Sequence, residues 1–66
     1  MTYAEIDTLV YDVILDLQTR IDEKVLVDLI ATQSGIAVSY IEESLECLIA
    51  DGYAFRNDAG QVFARS

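Results

Sequence analysis

The sequence predicts a mainly α domain in which three helices are closed by a small β-hairpin. Three observations predict it. Apolar residues recur at helical spacing through residues 3–19, 23–33 and 38–50. Helix-start residues precede those runs at Thr2 and Asp22, and glycines follow them at Gly35 and Gly52. Residues 53–65 switch to a two-residue alternation around Asn57-Asp58-Ala59-Gly60. At 66 residues, the expected unit is a single domain over residues 1–66.

Thr2 and Glu5 stand in the Thr-x-x-Glu spacing of a capping box, which places the first helix start near Tyr3. Tyr3, Ile6, Leu9, Val10, Val13, Ile14 and Leu17 then fill one arc at 100° per residue, the expected core face. Glu5, Thr8, Asp12 and Asp16 fill the opposite arc. Ala4, Tyr11 and Leu15 form a second apolar stripe, in which Tyr11 and Leu15 are i,i+4 neighbours. Either the wing or the C-terminal residues cover this stripe, or it is a surface for self-association as a homodimer through the first helix.

Thr19-Arg20-Ile21 reads as an extended link, and Asp22 caps a second helix whose first turn carries Glu23. Val25, Leu26, Leu29 and Ile30 are its expected buried face. Gly35 supplies the positive φ that a tight interhelical turn requires. In the third helix Ile41, Leu45, Leu48 and Ile49 are expected inside, with Val38 and Ser44 at the margins and Cys47 half-buried beside Tyr40. Asp51-Gly52 ends it, with Tyr53 as the apolar residue that follows. In the hairpin a type I turn with a glycine bulge sets Asn57 against Gln61 and Phe55 against Phe63. Tyr53, Phe55, Phe63 and Arg65 then share one face, and the two phenylalanines are expected to anchor it to the helices.

Charge narrows the function. Twelve acids against four bases give a net charge of −8 and a pI near 4.1, which works against binding polyanions such as nucleic acid or an anionic membrane. A hydrophobic fraction of 53% and a mean hydropathy of +0.30 support a packed core rather than disorder. One cysteine rules out an internal disulfide, and the absence of histidine leaves no Cys/His zinc set. No apolar run approaches the roughly 20 residues of a membrane span. Met1-Thr2-Tyr3-Ala4-Glu5 lacks the basic start and apolar centre of a signal peptide, so a cytoplasmic location is expected.

The order helix, link, helix, turn, helix, hairpin carries Ile30, Ala31, Gly35, Ile36, Ile41, Leu45, Leu48 and Gly52 at set spacing. It resembles the winged helix-turn-helix of small bacterial, archaeal and phage regulators, in an unusually acidic version. The resemblance covers nearly the whole chain and is more specific for fold than for function. In DNA-binding members the third helix enters the major groove by its N-terminal residues and the wing contacts backbone or minor groove. The resemblance therefore puts Ala37, Ser39, Tyr40, Glu42, Glu43 and Glu46 at the reading positions.

Ser39 and Tyr40 can donate to phosphates, but Glu42, Glu43 and Glu46 place three negative charges on that face and no positive one. The whole chain offers only Arg20, Lys24, Arg56 and Arg65, and phosphate neutralisation supplies essentially all non-specific DNA affinity. The expected function is non-enzymatic regulation by protein–protein binding, as an accessory factor or an inhibitor that mimics nucleic-acid charge. Ser39, Tyr40, Glu42, Glu43 and Glu46 are its expected contacts with a basic protein surface. The alternative is a dimeric DNA-binding transcription regulator that uses Ser39, Tyr40, Arg56 and Arg65. No nucleophile–base pair, phosphate loop or calcium loop can be assembled, so no catalytic residue, metal site or cofactor is expected.

Overall fold

The Asp22 carboxylate accepts a hydrogen bond from the Lys24 backbone N–H at 3.0 Å, the N-cap that the sequence implies for the second helix. Around it the computed structural model describes residues 3–64, without the side chain of Tyr3. The elements are α1 (Tyr3–Leu17), β1 (Ile21–Asp22), α2 (Glu23–Ser34), α3 (Val38–Ala50), β2 (Ala54–Arg56) and β3 (Gln61–Ala64). Three helices and a small antiparallel sheet make up the three-helix-plus-wing architecture expected. Thr2 and Arg65 lie outside the described residues, so the capping box and the place of Arg65 on the wing do too.

The two interhelical ends form as the glycines dictate. Gly35 adopts φ 74°, and its N–H donates to the Ala31 carbonyl at 2.9 Å. Ser34 locks the turn by donating to the Ile30 carbonyl at 2.6 Å and accepting from the Ile36 N–H at 3.2 Å. At the end of α3, Gly52 adopts φ 85°. Its N–H donates to the Ile49 carbonyl and the Tyr53 N–H to the Leu48 carbonyl, the paired bonds of a Schellman motif. α3 begins without a side-chain cap because Ala37 has nothing to offer.

The core gathers Ile6, Val10 and Ile14 from α1, Leu26, Val27 and Ile30 from α2, and Ile41, Leu45 and Leu48 from α3. Ala54 and Val62 close it from the wing. Each buried Val, Leu or Ile side chain contributes on the order of 1.5–3 kcal/mol against leaving it in water.

Several expectations need correction. α1 ends at Leu17 rather than residue 19, because Gln18 turns to φ 51° and breaks the helical bonding. Ile21 is not a bare link. With Asp22 it forms β1, which pairs Ile21 with Val62 and Asp22 with Gln61, so the sheet has three strands in the order β1-β3-β2. The Glu23 N–H also bonds the Gly60 carbonyl at 3.0 Å, which fastens the start of α2 to the wing turn. Val25 is 56% exposed and Val27 is buried instead, because a face centred on Leu26 and Ile30 brings Val27 inward. Ser44 is buried rather than marginal. Its hydroxyl donates to the Asp7 carboxylate of α1, which satisfies the polar group where the two helices pack. Cys47 is exposed rather than half-buried.

The hairpin register is as expected, with Phe55 opposite Phe63 and the Gly60 N–H bonded to the Asn57 carbonyl at 3.1 Å. The buried face is not. Ala54 and Val62 point into the helices, while Phe55 and Phe63 lie half-buried on the outer side and stack on each other at 5.6 Å between centroids. Small residues face the helices because the sheet lies close to them, and the two rings shelter one another.

Candidate functional site

The outward face of α3 carries the residues that the sequence singles out. Ser39, Tyr40, Glu42, Glu43 and Glu46 are all exposed, as the helical period requires once Ile41, Ser44, Leu45 and Leu48 are committed to the inside. Tyr40 is 47% exposed and Val38, two residues before it, is 41% exposed, so apolar surface sits beside the carboxylates. Glu42 also lines a groove of about 270 Å³ between α2 and α3, together with Glu23, Lys24, Val27, Asp28 and Val38.

An arginine forms ion pairs at this face, against the expectation of no positive charge there. Arg56, on the core-facing side of β2, extends past the sheet edge and forms ion pairs with both Glu46 of α3 and Glu23 of α2. The register explains its reach. Arg56 pairs with Val62, so its stem leaves the wing toward the helices rather than toward solvent. The hydrogen bonds to Glu46 and then to Glu23 push the guanidinium further up from its already high ordinary pKa, so it stays charged. The clamp ties wing, α2 and α3 together. Glu42 and Glu43 have no ion pair among the described residues, so the face keeps a negative character after Glu46 is matched.

The other described cations are dispersed. The Arg20 guanidinium lies 5.1 Å from the centre of the Phe63 ring, on the outer side of the wing. Lys24 lies in the groove with Glu23, Asp28 and Glu42. No continuous basic stripe connects Arg20, Lys24 and Arg56. Among the described residues no three His, Cys, Asp or Glu side chains are grouped so as to hold a metal ion, and no helix is long and apolar enough to cross a membrane.

The second stripe of α1 is divided. Tyr11 packs against the core and meets Tyr53 edge-to-face, with centroids 5.7 Å apart. Leu15 is half-buried and borders a groove with Arg20 and Phe63, while Ala4 is exposed. The wing therefore covers part of the surface set aside for self-association.

Sequence reasoning missed the Arg56 clamp, the Ser44–Asp7 bond and the Tyr11–Tyr53 pair. All three join residues distant in sequence, and only the phase of Arg56 on its strand could have hinted at the first. Comparison with known proteins finds no matching family model, no matching curated protein and no matching solved structure.

Proposed function

We propose that this chain is a non-enzymatic winged-helix protein that acts in regulation by binding a protein with a basic surface through the outward face of α3. It works either as an accessory factor or by occupying a nucleic-acid site on its partner, and needs no cofactor. The observation that carries this reading is the state of the cations. By the resemblance α3 takes the place of a recognition helix, yet the one described arginine that reaches it is held by Glu46 and Glu23, while Glu42 and Glu43 remain unmatched among the described residues.

The same observation weighs against the DNA-binding alternative. Arg56 was its best described contact, and freeing it for a phosphate means breaking two ion pairs next to carboxylates. Glu42 and Glu43 are exposed on the same helix face, where a phosphate brought to Arg56 or to the end of α3 would meet their charge. Tyr40 and Val38 flank the carboxylates on either side of the outward face and add exposed apolar surface to it.

The test is affinity capture from the native host with wild type and with Glu42→Lys/Glu43→Lys. Both residues are exposed, so circular dichroism should show an unchanged fold. The reading requires a specific partner whose capture the double variant abolishes. Equal capture by both proteins would sink it, as would a DNA mobility shift at about 50 mM salt that the double variant strengthens without any protein partner.

A further inference from the structure

A second surface lies away from the outward face of α3. Tyr11 of α1 and Tyr53, just after α3, meet with their ring planes at 68°. They line a groove of about 230 Å³ with Asp7, Thr8, Leu48 and Asp51. Tyr53 is 55% exposed, and Leu48 forms part of the wall from the core side. The groove thus joins two aromatic rings set at an angle to two carboxylates.

We propose that this groove receives a lysine or arginine side chain from the basic partner. Three independent features favour a cation there. Aromatic rings attract a cation to their faces, and more strongly when it leaves bulk water. Asp7 and Asp51 supply opposite charge at the same groove. The groove also lies at the C-terminal end of α3, where the helix dipole is negative and where no basic residue stands in the last turn. Among the described residues no cation fills the place: Arg56 is held by Glu23 and Glu46, Arg20 lies over Phe63, and Lys24 lines the groove between α2 and α3. The local fold builds the groove deliberately. The Schellman turn at Gly52 bonds the Tyr53 N–H to the Leu48 carbonyl at 2.9 Å and so directs Tyr53 back toward α1. The Ser44 hydroxyl holds Asp7 in position from α3.

The proposal rests on the reading of a basic protein partner, but it concerns a different surface, and the test separates the two. The probe is a short capped peptide with a single central lysine, followed by nuclear magnetic resonance, beside the same peptide with that lysine acetylated. The lysine peptide is expected to shift the ring signals of Tyr11 and Tyr53 and the amide of Asp51, and the acetylated peptide is not. Tyr53→Ala and Asp51→Asn should each weaken the lysine-dependent shifts at Tyr11, Tyr53 and Asp51 about two- to fivefold, and Tyr53→Phe should restore them. Circular dichroism and amide spectra establish that each variant is folded. Equal response to the two peptides would overturn the site. So would undiminished binding by folded Tyr53→Ala together with Asp51→Asn. Shifts confined to Glu42 and Glu43 would overturn it while leaving the α3 reading in place.

Discussion

Arg56→Ala separates the two functional readings because it acts in opposite directions on them. The side chain is 33% exposed and paired to Glu23 and Glu46, whose side chains are 32% and 60% exposed. Ion pairs that open to solvent are worth about 0.2–1 kcal/mol each, so losing both costs about 1 kcal/mol of stability. In a domain of this size that lowers the melting temperature by about 4–8 °C. The variant also releases Glu46, which adds one uncompensated negative charge to the outward face of α3. If a basic protein docks there, the gain equals roughly one exposed ion pair, or about two- to fivefold tighter capture. The gain should shrink toward nothing near 1 M salt, where charges act over only about 3 Å. If DNA is the ligand, removing Arg56 deletes a phosphate contact, weakens binding and flattens the salt dependence by about one unit of log–log slope. Thermal melting and the salt concentration needed to elute the partner from the immobilised protein measure both effects. A variant that melts like wild type would refute the clamp, and one that captures less partner would refute the reasoning about which residues face it.

Ser44→Ala removes the donor to Asp7 from the buried contact between α1 and α3, and a hydrogen bond to a charged group of this kind contributes about 1.5–3 kcal/mol; urea unfolding should show a loss in that range. Val62→Ala should destabilise the domain by more than Phe63→Ala, despite the larger ring. Val62 is fully buried and its deletion leaves a cavity, whereas Phe63 is half-buried against Phe55 and Arg20. The reverse order in paired denaturation curves would restore the phenylalanine face as the anchor. Because Tyr53 already covers Tyr11, sedimentation is expected to show a monomer, and a dimer that Leu15→Asp dissolves would show that the stripe on α1 is a surface for a second copy.

The helices were legible because each is fixed by neighbours a few residues away. Asp22 bonds two residues ahead, Gly35 bonds four residues back, and the core positions of α1 and α3 follow from a single period. The hairpin register was legible for the same reason, since Asn57, Gly60 and Gln61 close a local ring of bonds. Which face of the hairpin is buried was not. Alternation distinguishes two faces without saying which meets the helices, and large apolar side chains are a poor guide when the approach is close enough to favour Ala54 and Val62. β1 escaped notice because two residues carry no alternation to read, and its pairing depends on β3, some forty positions further on. At the candidate site the exposure of Ser39, Tyr40, Glu42, Glu43 and Glu46 was legible from the phase of α3. The identity of the cation beside them was not, because Arg56 belongs to the wing.

That last point bears on why the third helix carries carboxylates at all. In a small domain without disulfides, the wing must be held to the helices by its own contacts, and here the apolar ones come from small or medium residues, Ala54 and Val62. Arg56 adds a polar tie at the same edge, and it requires an acid on α3 and another at the start of α2. Glu46 and Glu23 are therefore explained by the fold without any partner. Glu42 and Glu43 are not, since no described cation pairs with them and α3 gains nothing from like charges clustered near its middle. The case for a basic partner accordingly narrows from three glutamates to two, with Tyr40 and Val38 beside them, and a charge-reversal experiment that changes Glu46 as well would confuse loss of binding with loss of the clamp.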